Sequence, residues 1–94
     1  MRVVWTPTAR EGAREVELYI YEHFSARALM QFIAKTESTL KEIEAFPQSG
    51  APYKRDDELN VTYRTKVINR RSILLYHIED DIIIDDFWSV KMNK

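Results

Sequence analysis

Two cations set two residues apart, Arg64 and Lys66, are the most suggestive chemistry in this sequence. They alternate with Val61, Tyr63 and Val67, so on a strand both project from one side, where a rigid sheet can hold positive charge toward a partner. A solvated sheet face would show the same pattern. His77, in the run Ile73-Leu74-Leu75-Tyr76-His77-Ile78, carries the ring that titrates nearest neutral pH, but its apolar neighbours equally suit a packed, hydrogen-bonded histidine. Asp80, Asp81, Asp85 and Asp86 have the chemistry of a hard-cation site. Adjacent strand residues face opposite ways, however, so Asp85 and Asp86 do not converge, and no metal or other cofactor is expected. Phe87 and Trp88 offer rings that stack on bases or bury against helices or a protein partner. Arg70 and Arg71 read as turn charges, and His23 as a cation at a helix C-terminus.

These residues need elements to position them. Val61 to Val67, Arg71 to Ile78 and Ile82 to Val90 read as three strands, separated by breaks at Asn69-Arg70 and Glu79-Asp80-Asp81, and a three-stranded antiparallel meander is the economical arrangement. With a turn at Asn69-Arg70, Lys66 stands across from Ile73 and Arg64 across from Leu75, and Tyr63 and Tyr76 share the opposite, core-directed face. Upstream, Arg2 to Trp5 is a short strand. Thr6 can cap a helix with Pro7 at its first position, or Thr8 can cap with Glu11 reaching back. Ala9, Ala13, Val16, Ile20 and Phe24 then line one helix face as far as His23, with Gly12 as its weak point by roughly 1 kcal/mol relative to Ala. Ser25 caps a second helix, in which Leu29, Phe32, Ile33, Thr36, Leu40 and Ile43 keep the spacing until Phe46-Pro47 ends it. The short connection makes residues 7 to 46 an antiparallel helical hairpin whose apolar face only the sheet can cover. Pro47 to Asn60 has no period and is expected to be a loop, or to hide a brief strand or turn.

The expectation is therefore one α+β domain over residues 1–94, in the order βααβββ: strand, helical hairpin, three-stranded meander. At 94 residues there is room for one modest core and no second domain. With 45% hydrophobic residues, two Gly and three Pro, the chain is neither disordered nor fibrous. The absence of cysteine excludes a disulfide framework and thiolate metal sites. Met1 to Trp5 gives way at once to Thr6-Pro7, so no signal peptide or membrane span is read, and a cytoplasmic location is expected. Fourteen Lys and Arg against fifteen Asp and Glu leave a net charge of −1, so no whole-molecule field draws the protein to a polyanion.

Particular residues go further. Val4-Trp5-Thr6-Pro7-Thr8-Ala9-Arg10, Phe46-Pro47-Gln48-Ser49-Gly50, Tyr63-Arg64, and Ile73 to Ile78 followed by an acidic turn and Ile82 to Ile84, taken in that order, resemble the RelE/ParE superfamily of toxins from bacterial type II toxin–antitoxin modules. The resemblance covers essentially the whole chain, and the opening W-T-P-T-A-R leans toward ParE. It implies the toxin of such a module, neutralised by a cognate antitoxin, with growth inhibition and plasmid stabilisation as its biology. It also implies a dimer or a hetero-oligomer with the antitoxin.

Its two branches differ in target: RelE-like toxins cleave messenger RNA on the ribosome, whereas ParE-like toxins poison DNA gyrase without that chemistry. RNA cleavage by a 2′-hydroxyl needs a proton acceptor, cations for the phosphorane and a proton donor for the leaving oxygen. Candidates for that set are Arg64, Lys66, His77 and Lys91. The resemblance departs from the RelE-like pattern where Ile73 replaces an arginine and where Ser89 to Lys94 has no closing His or Tyr. The leading expectation is thus a non-hydrolytic gyrase inhibitor, binding its target or antitoxin through Arg64, Lys66, Ile73, Leu75, Trp88 and Lys91. The alternatives are a ribosome-dependent messenger-RNA endonuclease, whose partners are ribosome and message, and a degenerate module that only binds its antitoxin.

Overall fold

The computed structural model describes residues 1–89. Val90, the expected end of the last strand, and Lys91 lie outside the described residues. The elements are β1 (Val3–Trp5), α1 (Pro7–His23), α2 (Ala26–Ala45), β2 (Ala51–Asp56), β3 (Val61–Asn69), β4 (Ser72–Ile78) and β5 (Ile82–Ser89). They form a mixed α+β fold on one sheet of order β1-β5-β4-β3-β2, in which β1 runs parallel to β5 and the other neighbours are antiparallel.

Local chemistry explains the helix ends. Thr6, and not Thr8, caps α1: its hydroxyl oxygen accepts from Ala9 N at 3.1 Å and donates to the Ile84 carbonyl at 2.8 Å, so the cap also ties the helix to β5. Ser25 caps α2 through Ala28 N at 3.0 Å. Only Phe24 and Ser25 separate the helices. Both pack on one face of the sheet, where Ala9, Val16, Phe32 and Ile43 meet Ile68, Leu74, Tyr76, Ile82, Ile84 and Phe87. Phe24 departs from its expected place on the α1 face: it is the C-cap residue, turned outward and about half exposed. Gly12 has a definite use, since a β-carbon there would lie 2.3 Å from the Phe87 carbonyl oxygen, and its absence lets α1 approach β5.

The expected loop from Pro47 to Asn60 contains the fourth strand of the antiparallel set, β2, paired with β3. Its residues are almost all exposed and its register shifts between Pro52 and Lys54, so no apolar alternation marks it. As an edge strand it tolerates Pro52. Asn60 then turns the chain with φ at 56°.

The meander also pairs one residue differently from the expectation. Lys66 faces Leu74 and Arg64 faces Tyr76, because the turn falls at Arg70-Arg71, closed by Asn69 against Ser72, and the register shifts between Val67 and Asn69. Asn69 Oδ1 accepts from Arg71 N at 2.9 Å, a side-chain turn that periodicity alone does not announce. The consequence is a reversal of faces. Residues paired across antiparallel strands project together, so Arg64 and Lys66 point toward the helices with Leu74 and Tyr76, and Tyr63 points away from the core.

Candidate functional site

On the helix side, Arg64 and Tyr76 together hold the chain where it leaves α2. Tyr76 Oη donates to the Pro47 carbonyl at 2.6 Å and accepts from Gly50 N at 2.9 Å. Arg64 Nη1 donates to the carbonyls of Gly50 at 3.0 Å and Gln48 at 3.3 Å. Gly50 is required for this closeness, since a β-carbon on it would fall 2.7 Å from the Tyr76 hydroxyl and 2.9 Å from the Thr65 carbonyl oxygen. Lys66 Nζ pairs with Glu42 of α2 at 3.0 Å, and its side chain is only 16% exposed. The two cations expected to form an outward row therefore serve the join between helix and sheet.

Among the described residues, the opposite face of the sheet carries no helix. There Ile73 pairs with Trp88 and Val67, and Leu75 with Asp86 and Thr65. Trp88 Nε1 donates to Asp86 Oδ2 at 2.9 Å, and its ring meets Tyr53 edge-on at 5.8 Å between centroids. Val67 is 65% exposed and Tyr53 57%, so this face presents aliphatic and aromatic surface to solvent. Of the six expected binding residues, Ile73, Leu75 and Trp88 share the open face, while Arg64 and Lys66 occupy the other. Tyr53 was not foreseen, because it lies in the stretch without a period; its neighbours Pro52 and Lys54 gave no strand signal.

His77 also lies on the open side, buried between carboxylates. Nδ1 is 2.7 Å from Asp85 Oδ2 and Nε2 is 2.6 Å from Glu79 Oε2. Burial works to lower its pKa, but the two acidic partners outweigh burial and raise it above the ordinary value, so the cation is the form the site favours. Asp85 is itself raised, because its partial burial outweighs the attraction of His77. Tyr63, edge-on to His77 at 5.2 Å, is raised by burial and then by Asp85, Asp56 and Glu79, which keeps the phenol protonated. The carboxylates of Asp85 and Asp86 are engaged with His77 and Trp88.

A family model for the ParE toxin of the type II toxin–antitoxin system parDE matches residues 3–93. This chain belongs to that family. The ParE-family toxin thus implies an antitoxin as its partner. No curated protein matches it. Among solved structures, that of a YoeB dimer from Staphylococcus aureus has the same fold, with a TM-score of 0.59 at 22% sequence identity over 94% of each chain. The motifs that carried the family likeness acquire structural reasons in this ParE-family toxin. Thr6 caps α1 and binds β5, Gly50 admits the Tyr76 ring, and Arg64 ties down the carbonyls of the Phe46-to-Gly50 segment.

Proposed function

We propose that this ParE-family toxin inhibits DNA gyrase without hydrolysing RNA and acts in the cytoplasm, where gyrase works. One observation carries the reading: the candidate nuclease groups stand on opposite sides of the sheet and are already engaged. Arg64 and Lys66 face the helices, bound to carbonyls and to Glu42, and His77 lies on the other side with both ring nitrogens against carboxylates. A general acid–base site needs its donors and acceptors within hydrogen-bond reach of one reacting group, and this arrangement separates them across the sheet. Position 73, where the RelE-like pattern has arginine, is an isoleucine beside Trp88, which adds apolar surface in place of a phosphate-binding cation.

The open face, centred on Ile73, Leu75 and Trp88, is the surface we assign to the target. It combines exposed apolar area with a hydrogen-bonded Trp, the composition of a protein-binding patch. Arg64 and Lys66 support that face from behind. Lys91, the remaining candidate, keeps its assignment only on sequence grounds.

The deciding experiment adds purified protein to a gyrase supercoiling reaction and to a translation extract. Supercoiling should stop while message stays intact. Cleaved message with normal supercoiling would establish the endonuclease reading instead, and no effect in either would leave a module that only binds its antitoxin.

A further inference from the structure

On the open face two aromatic rings form a corner. Tyr53 of the edge strand β2 and Trp88 of β5 meet at 62° with 5.8 Å between centroids, although β3 and β4 lie between their strands. The rings therefore reach toward each other across those strands, and Leu75 of β4 is only 8% exposed on a side that bears no helix among the described residues. The indole is oriented by its Nε1, which donates to Asp86 Oδ2 at 2.9 Å and so places a carboxylate at the edge of the corner. Arg10 lies over the Trp5 ring, Arg71 over Phe24 and Lys54 over Tyr63, whereas among the described residues no cation stands over Tyr53 or Trp88.

The charge around this corner is predominantly negative. Beyond the effect of burial, Asp85, Asp56 and Glu79 all act to raise the Tyr63 phenol, three carboxylates from β5, β2 and the β4–β5 turn. Two cations on this side are committed within the fold: Lys54 Nζ rests 5.6 Å from the Tyr63 ring centroid, and His77 is enclosed between Glu79 and Asp85. β1 pairs with β5 only as far as Ile84, and beyond that end a groove of about 500 Å³ is lined by Glu11 and Glu15 of α1 together with Asp86 and Trp88. Among the described residues that line it there is no Lys, Arg or His. Two ring faces beside a carboxylate suit a planar guanidinium, which can stack on an aromatic ring and fork onto a carboxylate at the same time.

We propose that the corner of Tyr53, Trp88 and Asp86 takes an arginine side chain from a basic segment of the target protein, with further cations of that segment along Glu11 and Glu15. The proposal rests on the reading of the open face as the target surface, and it names the chemistry that this surface selects. Asp86 then has two tasks, since it orients the indole and supplies the charge that the guanidinium meets. Tyr53 becomes a specificity-determining residue: it closes the corner from an edge strand, and without it the guanidinium would have one ring to stack on in place of two.

The test uses the full chain, isotopically labelled, and three short synthetic peptides: one alternating Leu and Arg, a second with citrulline for every Arg, and a third with Glu for every Arg. Citrulline keeps the planar group and removes its charge. The Arg peptide should shift the Trp88 indole N–H and the backbone amides of Tyr53 and Leu75, whereas the other two should bind at least about tenfold more weakly. Tyr53 is exposed on an edge strand, so Tyr53→Leu should fold as wild type and weaken the Arg peptide by about threefold or more, while Tyr53→Phe keeps the ring and the binding. Asp86→Asn retains an oxygen that can accept from the indole but loses the charge, and should weaken the peptide by about tenfold. Equal binding of the Arg and citrulline peptides, shifts confined to the helix side of the sheet, no binding of the Arg peptide, or stronger shifts of the same signals by a single-stranded RNA oligonucleotide would each overturn the proposal. Gyrase inhibition is read separately on the same proteins. If wild type binds the Arg peptide at Trp88 yet leaves supercoiling untouched, the gyrase reading falls and the arginine site stands. If wild type stops supercoiling and both Tyr53→Leu and Asp86→Asn stop it equally well, the arginine site falls and the gyrase reading stands.

Discussion

The Tyr76 hydroxyl on β4 donates to the Pro47 carbonyl at 2.6 Å, a bond across 29 residues that fixes where the chain goes on leaving α2. The same oxygen accepts from Gly50 N at 2.9 Å, so one side chain satisfies two backbone groups. Tyr76→Phe keeps the ring in the core and removes both bonds. A loss of roughly 1–3 kcal/mol is expected. In a domain of this size that corresponds to a fall in Tm of about 4–8 °C for each kcal/mol, readable by circular dichroism. An unchanged Tm would show that water replaces the hydroxyl without cost.

Gly12→Ala sets two effects against each other. Alanine improves helix propensity by up to about 1 kcal/mol. Its β-carbon would, however, meet the Phe87 carbonyl oxygen at 2.3 Å, and a backbone atom in a paired strand cannot turn aside. Forcing α1 off β5 costs roughly 1–3 kcal/mol by overpacking, so destabilisation is expected. A lower urea midpoint at unchanged slope would record it, and a stabilised variant would contradict the close packing.

The His77 cluster makes stability depend on pH in a stated direction. Its pKa is raised in the folded state, so its contribution is fully present below the unfolded value of about 6.5 and is lost as pH rises through the higher folded value. Asp85 is raised too, and its contribution is lost in the same sense in the carboxylate range. Asp81 runs the other way. Its hydrogen bonds with Arg2 lower its pKa, so that contribution is present above the ordinary carboxylate value and lost on acidification. The His77 ring should titrate in NMR spectra with a midpoint above the ordinary imidazole value of about 6.5. His77→Gln should remove the decline in wild-type stability that sets in as pH rises above the unfolded imidazole value of about 6.5. A profile that is unchanged in the variant would rule out the imidazolium clamp.

Much of the architecture was legible because its signals are local. Thr6-Pro7, Ser25 and Phe46-Pro47 mark helix ends through the hydrogen-bonding capacity of nearby backbone, and the apolar spacings of α1, α2, β4 and β5 repeat within each element. The superfamily likeness drew on the same residues. Strand β2 escaped because an exposed edge strand with a proline and an irregular register leaves no alternation to read.

The sequence by itself determined which residues share a side of β3: Arg64 with Lys66, and Tyr63 with Val67 on the other. Only the tertiary structure decided which of those sides meets the helices. Period-two alternation is symmetrical between faces, and the choice belongs to the partners that arrive from elsewhere, Glu42 for Lys66 and the carbonyls of Gln48 and Gly50 for Arg64. One register shift between Val67 and Asn69 moved every pairing by a residue. In the same way His77 was visible as a titratable ring, but its enclosure between Glu79 and Asp85 needed β4 and β5 to be laid side by side with an irregularity at Leu75 and Tyr76. Charge type is written in the chain; whether a charge is spent within the fold or offered to a partner depends on contacts between residues distant in sequence.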